Sequence, residues 1–152
     1  MSGLSVGSPV AGVVVALTAV PDPVFAEAMV GPGLAVVPAA VSSSVAVAPV
    51  DGTIATLHPH AFVVATSSGR AVLVHLGIDT VRLKGEGFTL HVAKGDVVRA
   101  GQAVVGWNPV AVEEAGYATV CPVIALDATP DVIGHPHEGG PIAVGDRLFD
   151  WR

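Results

Sequence analysis

Imidazole is the one unmodified side chain that serves as a good nucleophile in its neutral form near pH 7, and two imidazoles brought together can hold a single phosphoryl group or metal ion. His60 and His75 are spaced to do this. They flank the turn-like stretch Thr66-Ser-Ser-Gly69. A hairpin loop centred between Ser67 and Ser68 pairs Val64 with Ala71, Phe62 with Leu73 and His60 with His75. Residues opposed in this way on one face of an antiparallel pair have Cβ atoms about 4.5–5.5 Å apart. One imidazole on an apolar face is more often structural than functional, but two in register, with Gly77 clearing space beside the second, reverse that balance.

The elements that must position this pair are strands. In Ala71-Val-Leu-Val-His-Leu-Gly77, period two puts Leu73, His75 and Gly77 on one face and Val72 and Val74 on the other. His58, His60, Phe62 and Val64 share a face of the partner strand. Further apolar runs lie at Val10–Thr18, Gly33–Pro38, Ser44–Ala48, Gly52–Leu57, Phe88–Val92, Ala103–Trp107, Val120–Leu126 and Asp146–Trp151. Turn residues such as Val50-Asp-Gly52, Lys94-Gly-Asp96 and Val144-Gly-Asp146 separate them. This pattern predicts an all-β, antiparallel fold, a flattened β-barrel or sandwich with short helical turns. One turn is expected after Asp22, an N-cap followed by Pro23, and another after Asn108 and Pro109. Residues 1–9 read as a flexible N-terminal tail and residues 10–152 as a single domain.

The balance of charge excludes several partners. A net charge of −6 with only seven Lys and Arg leaves no basic surface for nucleic acid or anionic lipid. No uninterrupted apolar stretch is long enough for a membrane helix, so no membrane insertion is expected. The single Cys121 cannot form an internal disulfide, and no signal-peptide pattern precedes the first apolar run. A cytoplasmic location is the expectation.

Several motifs carry a family resemblance. They are Ala48-Pro-Val-Asp-Gly-Thr-Ile54, His60-Ala-Phe62, Val74-His-Leu-Gly-Ile-Asp-Thr-Val81 and Leu83-Lys-Gly-Glu-Gly-Phe88. Together, and in this order, they resemble the glucose-type enzyme IIA of the bacterial phosphotransferase system. Val20-Pro-Asp-Pro-Val-Phe-Ala-Glu27, Gly31-Pro-Gly33, Gly95-Asp-Val-Val-Arg-Ala-Gly101 and Cys121-Pro-Val123 extend the resemblance over nearly the whole chain from about residue 10. It implies a phosphocarrier that accepts a phosphoryl group from HPr and passes it to a cysteine on the IIB domain of a glucose or N-acetylglucosamine permease. His75 would carry the group on Nε2, and His60 would support the phosphate. The resemblance places docking at Asp22, Val24, Phe25, Met29, Val30, Asp79 and Val81, an apolar collar rimmed with acid. Regulatory protein targets of the unphosphorylated form are a further expectation. The chain departs from the family's pattern in Leu57-His-Pro-His60, which is shorter, lacks a hydroxyl residue before the supporting histidine and carries His58 where an aromatic is frequent. His58 reads best as an exposed loop residue, and Cys121 as buried and inert.

Two other classes compete. His58-Pro-His60 and His75-Leu-Gly-Ile-Asp79 are the H-x-H and H-x-G-x-D elements that lysostaphin-like zinc peptidases use, though in the reverse order. His58, His60, His75 and Asp79 would be the ligands. No cofactor is required by the carrier reading, although His60 and His75 alone could bind zinc weakly. A biotinyl or lipoyl carrier needs a lysine at a hairpin tip, classically after Met, and neither Lys84 nor Lys94 follows Met.

Overall fold

The computed structural model describes residues 3–152. Its strands are β1 (Leu4–Gly7), β2 (Gly12–Ala16), β3 (Gly33–Pro38), β4 (Ser44–Val47), β5 (Gly52–His58), β6 (Ala61–Ala65), β7 (Ala71–His75), β8 (Phe88–Leu90), β9 (Val97–Val98), β10 (Ala103–Trp107), β11 (Cys121–Ala125), β12 (Ile133–Gly134), β13 (Gly140–Ile142) and β14 (Arg147–Trp151). Two short helices, α1 (Pro23–Ala26) and α2 (Pro109–Glu114), and single 3-10 turns complete it. The strands form an eight-stranded sheet in the order β13-β2-β3-β11-β7-β6-β5-β9 and two three-stranded sheets, β1-β14-β12 and β4-β10-β8. Every pairing is antiparallel. The all-β fold is as expected; the sheets stay open and do not close into a barrel.

Both faces of the large sheet are covered near its centre, and alternation along each strand divides the apolar residues between two cores. Val36, Val72, Val74 and Val123 point into the main core with Phe62, Val64 and Phe149. Ala35, Leu73 and Ile124, their neighbours in sequence, point into a smaller cluster on the other face with Leu17, Val20, Phe25 and Ile78. The segment around α1 therefore caps the outer face of β7 and β11, beside the end of β7 where His75 stands.

Both helix starts obey their local chemistry. The Asp22 side chain accepts a hydrogen bond from the Val24 N–H at 2.9 Å, with Pro23 opening the turn. At α2, the Asn108 side chain accepts from the Ala111 N–H at 3.0 Å, and Pro109 sits next to the cap. Ala28, at φ 52°, ends the α1 turn in the left-handed region, and the Met29 N–H closes back on the Val24 carbonyl.

Two expectations require correction. Residues 4–9 are not a tail: β1 pairs with β14 from Leu4 opposite Trp151 to Gly7 opposite Arg147, and Val6, Ser8 and Pro9 are buried. Only residues 1 and 2 of that stretch lie outside the described residues. Short, Gly- and Ser-rich sequence looks frayed until its partner strand, from the other end of the chain, is known.

The second correction concerns register. The β6–β7 pair joins Ala61 to His75, Phe62 to Val74 and Val64 to Val72, one residue away from the predicted pairing. His75 therefore lies on the face opposite Phe62 and Val64. Core burial decides this. The predicted register would turn either Phe62 and Val64 or Val72 and Val74 out of the main core, at about 2 kcal/mol for each side chain. Two such losses, about 4 kcal/mol, are a large part of the 5–15 kcal/mol that typically holds a domain together.

The apolar runs otherwise became strands within a few residues, with Gly33–Pro38 and Ala103–Trp107 matching end for end. The short strands β9, β12 and β13 had no expectation behind them, because two or three residues carry too little alternation to be read.

Candidate phosphohistidine site

His75 is the last residue of β7, and the loop from Leu76 to Thr80 holds its ring in one orientation. The Leu76 N–H donates to the His60 carbonyl at 2.7 Å and extends the β6–β7 pairing by one rung. Gly77 then turns the chain at φ 80°. The Ile78 N–H donates to Ala118 O, and the Thr80 hydroxyl donates back to Leu76 O at 2.8 Å. Within this tight loop the Gly77 carbonyl faces the His75 ring, and His75 Nδ1 lies 2.5 Å from it. A carbonyl only accepts, so Nδ1 carries the proton and donates it. The lone pair of the neutral ring is then on Nε2. Leu76 and Ile78 have thus already committed their N–H groups to His60 O and Ala118 O.

Glycine is required at position 77 on two counts. The positive φ strains any residue with a side chain, and a Cβ would stand 2.7 Å from Thr80 Cγ2 and 2.8 Å from Ala118 O. Gly77→Ala is expected to cost about 3 kcal/mol, from left-handed strain plus overpacking. Thermal unfolding checks this, with a melting temperature lower by on the order of 10 °C.

His60 reaches His75 by a route the predicted register did not contain. It belongs to the Pro59–His60 turn between β5 and β6, outside the alternating pleat. From there its ring meets that of His75 edge-on, with centroids 5.2 Å apart and planes at 71°. The ring of His58 stacks against that of His60, with centroids 5.7 Å apart and planes at 25°. His58 is exposed, but it is the final residue of β5 and is packed on His60, so the reading of it as a loop residue is corrected. Phe25 lies across His75, with centroids 5.2 Å apart. Four rings thus run in a row: His58, His60, His75, Phe25.

The structure sorts the predicted docking residues into two groups. Met29, Val81 and Val24 are exposed, at 68%, 58% and 39%, and Asp79 is also exposed, in the left-handed conformation that starts the 3-10 turn Thr80–Leu83. Phe25, only 7% exposed, belongs to the second core, and Val30 is half-buried against the same cluster. Phe25 is therefore corrected from a surface contact to the wall against which His75 packs. The helical turn at Asp22 points Phe25 inward and its neighbour Val24 outward. Asp22 caps α1 and is also one of the two carboxylates near enough to act on His75.

Among the described residues no three His, Cys, Asp or Glu side chains converge as metal ligands, which removes the support for the zinc-peptidase alternative. Cys121 lies in β11 in the core, its thiol donating to Thr119 O, and burial pushes its pKa up to about 12. It is buried, as expected.

A model of the family described as phosphoenolpyruvate-dependent sugar phosphotransferase system, EIIA 1, matches residues 4–130. The chain belongs to this family. The glucose-specific EIIA component of Oceanobacillus iheyensis is 38% identical to this EIIA chain over 123 residues, covering 80% of the chain and 73% of the relative. The glucose-specific EIICBA component of Streptococcus pneumoniae is 47% identical over 115 residues, 74% of this chain but 15% of that protein. The β-glucoside-specific EIIBCA component of Dickeya chrysanthemi is 44% identical over 123 residues, 80% of this chain and 19% of that protein. The chain spans about a fifth or less of these two longer relatives. In three dimensions it is similar to glucose permease IIA from Mycoplasma capricolum, with a TM-score of 0.87 and 30% identity over 100% of this chain and 97% of that one. EIIA is a phosphotransferase component, so the family read from the sequence motifs stands. No helix among the described residues is long and apolar enough to cross a membrane.

The electrostatics of the EIIA site keep both imidazoles neutral near pH 7. Burial holds the His75 pKa below the usual histidine value, with the Gly77 carbonyl and then Asp22 and Asp79 pulling the other way. Burial, reinforced by repulsion from His75 and His58, lowers His60 from 6.5 to about 4. Between these two values the unfolded chain binds a proton at position 60 that the folded chain does not. Folding stability from this residue is therefore fully present above pH 6.5 and declines as pH falls towards 4. Urea denaturation at pH 7 and at pH 5 is expected to show that loss, and His60→Gln to reduce it.

Proposed function

We propose that this chain relays a phosphoryl group from HPr, through His75, to a cysteine on the IIB domain of a sugar permease. The observation that carries the reading is the hydrogen bond from His75 Nδ1–H to Gly77 O, because it leaves Nε2 as the nucleophile, beside His60. In the first step the Nε2 lone pair attacks phosphorus, and the bond between phosphorus and the HPr histidine breaks. In the second, the IIB thiolate attacks phosphorus and the Nε2–P bond breaks. His75 Nδ1 keeps its proton throughout, so the ring returns to its starting tautomer. Phosphoryl transfer asks the protein for positioning and charge stabilisation more than for covalent machinery. A ring N–H of His60 supplies that charge stabilisation.

The exposed Val24, Met29 and Val81, with Asp79 and Asp22 beside them, form the face that receives both partners, an apolar patch with an acidic edge. Charge complementarity on such a face speeds encounter with a basic partner and fixes register. The fused relatives, in which EIIA shares a chain with B and C components, support IIB as the acceptor. Their names include glucose and a β-glucoside, and a glucose-type sugar is the substrate class we assign to the permease. The relay would operate on the cytoplasmic side.

Incubation with phosphoenolpyruvate, enzyme I and HPr tests the proposal. The expected product gains the mass of one phosphoryl group through a bond stable to base and labile to acid. An unchanged mass, with HPr itself phosphorylated, would sink it.

A further inference from the structure

The His60 and His75 rings are held in different ways. His75 is pinned by its bond to Gly77 O, whereas among the described residues neither ring nitrogen of His60 has a hydrogen-bond partner. A ring that must aim an N–H at a transient group needs some other restraint. Its two aromatic contacts are a T-shaped one with His75, which is the reacting ring, and a stacked one with His58.

We infer that His58 is a positioning residue, whose stacked imidazole sets the orientation in which His60 meets a phosphoryl group on His75. The inference rests on the carrier reading above and adds a third histidine to it. The backbone prepares the stack from both sides. His58 ends β5 opposite Ala61, the first residue of β6, so the two strand ends are already fixed when the turn begins. Pro59 joins the two histidines and locks its own φ near −65°. The turn at Gly85 passes beside it, where an added Cβ would stand 3.4 Å from Pro59 Cγ. Across that turn the His58 and His60 rings stack at 25°, while the His60 and His75 rings meet in a T-shaped contact at 71°. Stacking also accounts for an exposed imidazole at the end of a strand with no hydrogen-bond partner of its own among the described residues.

His58 acts only through His60, and this makes the inference separable from a direct contact with phosphate. The full chain is compared with H58A, H58F, H60Q and the H58A/H60Q double variant. Two rates are measured, uptake from phosphorylated HPr and handover from phosphorylated His75 to the IIB domain. H58A is expected to slow handover about tenfold, the scale on which a reacting group slightly out of place loses rate. H58F keeps a flat ring in the stack and is expected to restore handover to within about twofold of the parent. On the H60Q background, H58A is expected to add nothing. Unchanged handover in H58A, failure of Phe to restore it, or a further loss on the H60Q background would each overturn the inference. Ring nitrogen shifts of His60 by NMR provide a readout independent of transfer. They are expected to move in H58A and to stay near the parent values in H58F, and unmoved shifts in H58A overturn the inference as well. If the parent chain takes no phosphoryl group from HPr, the carrier reading falls by itself, and the NMR arm still decides whether His58 orients His60.

Discussion

His75→Gln is expected to yield a folded protein that gains no phosphoryl mass from phosphorylated HPr. The side chain is half-buried at the end of β7, of similar reach to glutamine, and its one hydrogen bond runs to Gly77 O. The loop from Gly77 to Thr80 is held by its own bonds, from the Thr80 hydroxyl to Leu76 O and from Ile78 N–H to Ala118 O, so it should keep its shape. What glutamine cannot supply is the Nε2 lone pair. His60 does not substitute, because it lacks the carbonyl that would hold its proton on one nitrogen and open the other. Mass spectrometry after the coupled reaction, with circular dichroism to verify folding, checks the result. Phosphorylation persisting in the variant would move the acceptor away from His75.

His60→Gln is expected to separate the two halves of the relay. In uptake, a neutral imidazole attacks an anionic phosphoryl group, and little charge repulsion has to be overcome. In handover, a thiolate approaches the same anion, and a cationic or strongly donating group beside it matters far more. With its pKa lowered to about 4, His60 is neutral in the resting chain. A phosphoryl anion on His75 would draw that value up, so that His60 could become positive as the thiolate arrives. Glutamine can donate a hydrogen bond but cannot take up that charge. Handover is therefore expected to slow by about 100-fold, the scale on which losing a charge-stabilising interaction at the transition state slows a reaction. Uptake should change little. Rapid-quench measurement of each step would detect the asymmetry, and equal losses in both would contradict the assigned roles. NMR titration of the His60 ring, with and without phosphate on His75, should show the upward shift directly.

Packing fixes the rings of this half-buried site from both ends. The row of rings from His58 to Phe25 is braced at one end by a buried aromatic and at the other by a stacked histidine. Around it lie Met29, Val81 and Val24, apolar and open to a partner. In the relay proposed above, a partner surface that covers them would also remove water from the phosphoryl group, which favours transfer over hydrolysis.

Much of this molecule was written in local sequence. The turn at Asp22-Pro23 and the helix start at Asn108-Pro109 depend on a cap and a proline next to each other, and both formed where those residues stand. Strands with several alternating residues announced themselves, as in Gly33–Pro38, because alternation is a property of neighbours. The motif from His75 to Phe88 carried the family, and the family model matches across it.

Three features waited for the tertiary structure, each because its cause lies far away along the chain. Leu4–Gly7 became a strand only because Arg147–Trp151 offers it an edge. The β6–β7 register came from which side chains the opposite sheets had to bury, and a shift of one residue cannot be seen in a hairpin read alone. The imidazoles met despite that shift because His60 sits in a turn, free of the alternation that governs a strand, where Pro59 and His58 aim it. Sequence determined which groups could do chemistry, since that depends on residue type. Long-range packing decided how they face one another.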